Sequence, residues 1–118
     1  MKIALPYSKE DGTLFQHIGA TECFKVYTVD DNTKKILSTE IVKTNGEQHA
    51  EIAAFIKNNG FNVVICGGCG DRMYNLLNLV DIKCYTSQEG NCDELVNSFL
   101  NGTMEIVDRP THSCSCHH

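Results

Sequence analysis

Seven of the 118 residues are cysteines, and two of these stand in the run Cys66, Gly67, Gly68, Cys69, Gly70. Two thiols separated by two residues can ligate one metal ion or close a disulfide, and a helix N-terminus nearby favours the thiolate. The glycines open another reading. Gly67, Gly68 and Gly70 admit dihedrals closed to other residues and leave amide N–H groups ahead of a helix, the makings of an anion nest. The run is no Walker loop, because the lysine and hydroxyl that reach phosphate are absent, and its glycine spacing is not the dinucleotide fingerprint. A thioredoxin-like pair would start the helix without glycine at both intervening positions. One such pair cannot complete a tetrahedral metal site, so further ligands must come from elsewhere.

The C-terminus offers them. Cys114, Cys116, His117 and His118, with His112 upstream, concentrate thiolate and imidazole ligands of the kind that hold iron, zinc, copper or an iron–sulfur cluster. The opposing reading is a purification-tag remnant on an incidental tail. Cys23 and Cys84 fall in or beside expected strands, where a cysteine is ordinarily a small core hydrophobe. Cys92 falls in the first turn of an expected helix and reads as partly exposed. His49 reads as surface or boundary. Asp11, Asp71 and Asp93 share no spacing that implies acid–base work, and neither a Ser/His/Asp set nor an HExxH motif is present. No catalytic constellation emerges.

These residues have to be positioned by something. Lys2–Pro6 reads as a strand stopped by proline, Cys23–Val29 as a β-branched and aromatic strand, and residues 35–42 as its hairpin partner across Asp30, Asp31, Asn32 and Thr33. The period then changes. Asn45 and Gln48 suggest a capping box, Ile52, Ala53, Phe55 and Ile56 an apolar helix face, and Gly60 a stop. A short buried strand over 62–65 follows, then a helix after Gly70 with Met73, Leu76, Leu77 and Val80 inward. A strand over 82–85 and a helix from Asn91 to Gly102 complete the order, leaving 104–107 as an edge strand or a pinned segment. The order β-β-β-α-β-α-β-α predicts a three-layer α/β fold around a mixed sheet.

The totals limit the function. The length is that of one domain, expected over residues 1–108, with 109–118 a flexible Cys/His-rich tail. A formal charge of −5 and the lack of a basic run argue against a nucleic-acid partner. No stretch has the length and apolarity to span a bilayer, and the N-terminus is no signal peptide, which predicts a cytoplasmic protein without a membrane partner.

Three blocks, "MKIALP", "LFQHIGATECFKVYTV" and "GFNVVICGGCGDRMYNLL", resemble the dinitrogenase iron–molybdenum cofactor biosynthesis domain family. That domain occurs in cofactor carrier proteins and at the end of the radical enzyme that builds the cofactor precursor. The likeness covers Met1 to about Val107 and leaves the tail outside. It implies a ribonuclease H-like, five-stranded sheet in the order 3-2-1-4-5 without nuclease activity. A switch point then falls between the first and fourth strands, fed by the loops over 7–19 and 66–71, so His17 would face the glycine–cysteine turn. His17, Ile18 and Gly19 stand where the family has His-Phe-Gly, and Asp71 where it has proline. A carboxylate at Asp71 would cap the helix amides and add negative charge beside an anionic cargo.

The resemblance thus implies a non-enzymatic metal-cluster carrier. Its cargo would be the iron–molybdenum cofactor, its precursor or an iron–sulfur cluster, and its partners cofactor-synthesis or acceptor proteins. The binding set is His17, Gly19, Cys66, Gly67, Gly68, Cys69 and Gly70, with His17, Cys66, Cys69, Cys114, Cys116 and His117 as metal ligands. Two competing expectations are a thiol–disulfide redox or sensor protein using Cys66 and Cys69, and a non-metal interaction domain.

Overall fold

The computed structural model describes residues 1–44 and 50–111. Asn45, Gln48, His49, His112, Cys114, Cys116, His117 and His118 lie outside the described residues. Strand β1 (Lys2–Pro6) leads through a single 3-10 turn (Ile18–Ala20) into β2 (Cys23–Val29) and β3 (Ile36–Lys43). Helix α1 (Ala50–Asn58), β4 (Val63–Ile65), α2 (Asp71–Leu79), β5 (Lys83–Tyr85) and α3 (Cys92–Asn101) follow. The sheet order is β3-β2-β1-β4-β5, with the β1–β2 and β2–β3 pairs antiparallel and the β1–β4 and β4–β5 pairs parallel.

β1 lies in the middle of this sheet, which explains its unbroken apolar run: Ile3, Ala4 and Leu5 are each fully buried. The pleat divides the core between two faces. Ala4, Phe24, Val26, Val64 and Cys84 point toward α1 and α2, while Ile3, Leu5, Tyr27, Val29 and Ile65 point toward α3. On the first face Phe24, Phe55 and Phe61 form a ring triad with centroids 6.1–6.2 Å apart, closed by Ile52, Ile56 and Leu77. On the second, Asp93 of α3 is tied to β2: its carboxylate accepts from Tyr27 Oη at 2.5 Å and pairs with Lys25 Nζ at 2.9 Å. The edge strand β3 runs out beyond both helix layers and is exposed along most of its length.

The expected start and stop signals of α3 hold in detail. Asn91 Oδ1 accepts from Glu94 N at 3.1 Å, and Gly102 ends α3 in the left-handed region at φ 77°, which only glycine adopts without strain. Two expectations need correction. Cys92 is fully buried, because its place as the first residue of α3 turns it into the core beneath the helix. Asp71 is the first helical residue of α2 and not its cap, a position that Gly70 holds.

Residues 104–107 form no strand. They are a pinned segment, with Met104 and Val107 buried and Thr86 N donating to Val107 O at 2.8 Å.

Candidate metal centre

The loops leaving β1 and β4 meet at the C-terminal ends of those strands. His17 and Gly68 form a parallel β-bridge, in which Gly68 N donates to Gln16 O at 2.8 Å. The turn is stitched equally to the far side: Cys66 N donates to Tyr85 O (2.8 Å), Ser87 N to Gly67 O (2.9 Å) and Gln88 N to Cys66 O (3.1 Å). His17 is exposed and stands edge-on to Phe15, with ring centroids 6.4 Å apart. Ile18 is buried in the core against α1 and α2, and Gly19 lies within the 3-10 turn.

The glycines serve this meeting in a way that differs from expectation. Among the described glycines the positive dihedrals belong to Gly12, Gly60, Gly90 and Gly102, so Gly67, Gly68 and Gly70 do not use conformations closed to other residues. Close approach is what Gly67 and Gly68 supply. A Cβ on Gly68 would sit 2.8 Å from the Gln16 carbonyl oxygen, and one on Gly67 would sit 2.2 Å from Gln16 Oε1. The first obstacle is backbone and the second is the end of a flexible side chain. Gly68→Ala should therefore destabilise the fold by about 1–3 kcal/mol and Gly67→Ala by less, measured by urea unfolding. Equal losses would refute this account of the turn. The amides of Gly68 and Cys69 are also engaged within the protein, so an anion nest would have to do without them.

Beneath the turn lie three thiols. Residues Ala4, Val64 and Cys84 are in register across β1, β4 and β5, and Cys66 follows Val64 by two, so Cys66 and Cys84 share a face. Cys69 comes back over them from the turn. Cys66 Sγ is 3.8 Å from Cys84 Sγ, Cys84 Sγ is 4.0 Å from Cys69 Sγ, and all three sulfurs lie within 4.8 Å of one another. They are 0%, 0% and 1% exposed, in the order Cys66, Cys84, Cys69. No disulfide joins any described cysteine.

Hydrogen bonding to Cys69 and Cys84, then burial, holds the Cys66 thiol well above the ordinary range. The contact with Cys66 pulls the Cys84 thiol down, but Cys69 and burial outweigh it and leave Cys84 raised as well. In the metal-free fold these two therefore stay protonated, and either a metal ion or an oxidant would have to act on the thiol form. Soft metal ions remain the natural ligand for converging thiols.

A strap lies beside the group. Thr111 N donates to Cys69 O at 2.9 Å, and Thr111 Oγ1 accepts from Cys69 N at 2.9 Å. Thr86 Oγ1 donates to Arg109 O, Tyr74 Oη donates to Asp108, and Gln88 Nε2 donates to Glu105 O at 2.8 Å. Residues 105–111 are thus pinned across the end of the sheet beside the buried thiols.

A family model described as dinitrogenase iron–molybdenum cofactor matches residues 1–102. The chain belongs to this dinitrogenase cofactor family. The match spans the bridged loops and all three thiols, while the strap lies beyond it. Solved structures of similar fold include the protein designated PH0822, with a TM-score of 0.81 and 23% identity, covering 90% of this chain and 94% of that one. The apo orange protein of Desulfovibrio gigas gives a TM-score of 0.74 and 24% identity, with 93% and 95% covered. A protein of Methanocaldococcus jannaschii gives 0.72 and 19%, with 93% and 97% covered. At these identities the likeness speaks for the fold. No curated protein sequence matches significantly.

Of the residues expected at the site, the structure brings His17 to Gly68 and Cys66 to Cys69. Sequence reasoning missed Cys84, Thr86 and Thr111. Cys84 carried a signal only jointly with strand order, through its register with Val64.

Proposed function

We propose that this protein is a small, non-enzymatic carrier of a metal cargo at the sheet's switch point. The cargo is the iron–molybdenum cofactor, its precursor or an iron–sulfur cluster, and the ligands are the thiol group together with the His17 imidazole. The observation that carries this reading is the convergence of Cys66, Cys69 and Cys84 within 4.8 Å of one another under the bridged loops. β1 and β4 are parallel neighbours whose following loops leave in opposite directions, the setting in which α/β sheets hold ligands. Family membership supports the same assignment.

The arrangement is read as ribonuclease H-like without nuclease activity, organised as a unit over 1–108 and a Cys/His-rich tail over 109–118 whose first residues, through Thr111, are anchored to the unit. Cys114, Cys116 and His117 would add ligands when cargo is bound, and Gly19, Gly67 and Gly70 shape the rim. The working partners are cofactor-synthesis and acceptor proteins in the cytoplasm. No described helix is long and apolar enough to cross a membrane, and the charge of −5 disfavours nucleic acid.

Anaerobic reconstitution with iron and sulfide, with and without molybdate, tests this. Metal uptake with charge-transfer absorption is expected in the wild type and should be lost in Cys66→Ser and Cys69→Ser and weakened in His17→Ala. Absence of uptake under every condition would overturn the carrier reading.

A further inference from the structure

We propose that, with the strap closed, Cys66, Cys69 and Cys84 hold a single three-coordinate thiophilic ion of the Cu(I) class. This rests on the carrier reading's assignment of these thiols to metal, and it differs in the cargo that the closed site takes. The spacing carries the argument. Three thiolates about 2.3 Å from one ion stand about 4.0 Å apart in a trigonal plane and about 3.8 Å apart in a tetrahedral arrangement. The sulfurs already stand 3.8 Å and 4.0 Å apart on two sides of their triangle and within 4.8 Å on the third. Backbone elements set these positions: two adjacent strands in register and a turn stitched to both neighbouring loops.

Donor type and number select the ion. Among the described residues the group contains three sulfurs and no imidazole or carboxylate. Zinc in a structural site wants a fourth ligand, and in a catalytic site a water. Exposures of 0–1% leave no path for that water while the strap is shut. Soft thiolates select Cu(I), which needs no fourth donor. Binding breaks three S–H bonds, releases three protons to solvent and forms three S–metal bonds, and the ion keeps its oxidation state. The excess negative charge lies near the start of α2, where the helix dipole is favourable to it and the Asp71 carboxylate opposes it.

The test uses the full-length chain carrying Cys114→Ser and Cys116→Ser, which removes the tail thiols from the count. Under anaerobic, reducing conditions it is titrated with Cu(I) against a chromophoric Cu(I) chelator, and the copper is examined by X-ray absorption. We expect one ion per chain, three sulfur scatterers at about 2.3 Å, and at least a hundredfold weaker binding after Cys84→Ala. The X-ray absorption stands without that last variant, should it fold poorly. Two sulfurs or fewer, no binding, or binding unchanged by Cys84→Ala would overturn the proposal. Iron–sulfur uptake through these thiols without single-ion binding would overturn it too, while leaving the carrier reading intact. Loss of both would remove the two together.

Discussion

Between pH 9 and pH 10 the metal-free, reduced protein should lose about 3 kcal/mol of folding stability, roughly 1 kcal/mol for each of three buried thiols. The three are Cys66, Cys84 and Cys92, and Cys23, also raised by burial, adds to the decline. Burial pushes the Cys92 thiol up to about 12, and Cys66 and Cys84 are held above their ordinary range by the neighbours named above. A raised folded pKa means that the native state keeps its proton while the unfolded chain releases it. This contribution to stability is therefore complete below about pH 8, where both states are protonated. It declines as pH rises through the unfolded value of about 9. Tyr27, raised chiefly by burial and then by its bond to Asp93, adds to the loss at still higher pH. Against a total of about 5–15 kcal/mol for a domain, a loss of this size is large. Urea unfolding at pH 8, 9 and 10 with reductant and chelator measures it. A flat profile would mean that these thiols ionise as readily inside the fold as outside. Cys92→Ala should lower the starting stability and remove about 1 kcal/mol of the decline.

Cutting the strap's anchors should expose the thiols in a defined order. In the double variant Thr86→Val, Thr111→Val the side chains keep their shape and lose their hydroxyls. Val107 O and Arg109 O lose their contacts with Thr86 Oγ1, and Cys69 N loses its acceptor. At about 1–3 kcal/mol for each buried polar group left unsatisfied, opening of the strap becomes about a hundredfold more frequent. Alkylation of Cys69 by iodoacetamide, followed by mass spectrometry, should accelerate by that factor. Cys92 packs on the opposite face of the sheet under α3 and serves as an internal control. Equal acceleration at Cys92 would point to general loosening, and no change at Cys69 would show that the strap does not seal the site.

Much of the architecture was legible because its causes are local. β1 is apolar and buried from Ile3 to Leu5 and therefore central, Asn91 and Gly102 bracket α3, and the change from period 2 to period 3.6 marks where the meander gives way to crossovers. The bridge between His17 and Gly68 was foreseeable only through the family likeness, since a gap of 51 positions carries no physical signal of its own. Cys84 escaped for a different reason. In a short apolar strand a cysteine looks like any small hydrophobe, and its partnership with Cys66 exists only once β4 and β5 are adjacent and in register. Gly67 and Gly68 were expected to supply backbone freedom and instead supply close approach. Backbone freedom is a property of one residue, whereas the clash with Gln16 belongs to a loop 51 or 52 positions away. The strap was the least legible element: it contributes no periodic pattern and is held by hydrogen bonds to backbone groups that every sequence possesses.

The order in which the chain is made gives the strap a further meaning. The β1–β2–β3 meander assembles from near neighbours, but Cys66 and Cys69 gain their third companion only when Cys84 leaves the ribosome, and the seal comes later still with Thr111. At about 5–20 residues per second, that interval lasts roughly 1–5 s. During it the three sulfurs can already be gathered and not yet roofed over. A metal ion offered then does not wait on the strap, while one offered to the finished molecule does. Loading during synthesis and loading afterwards are, for this fold, two different kinetic problems.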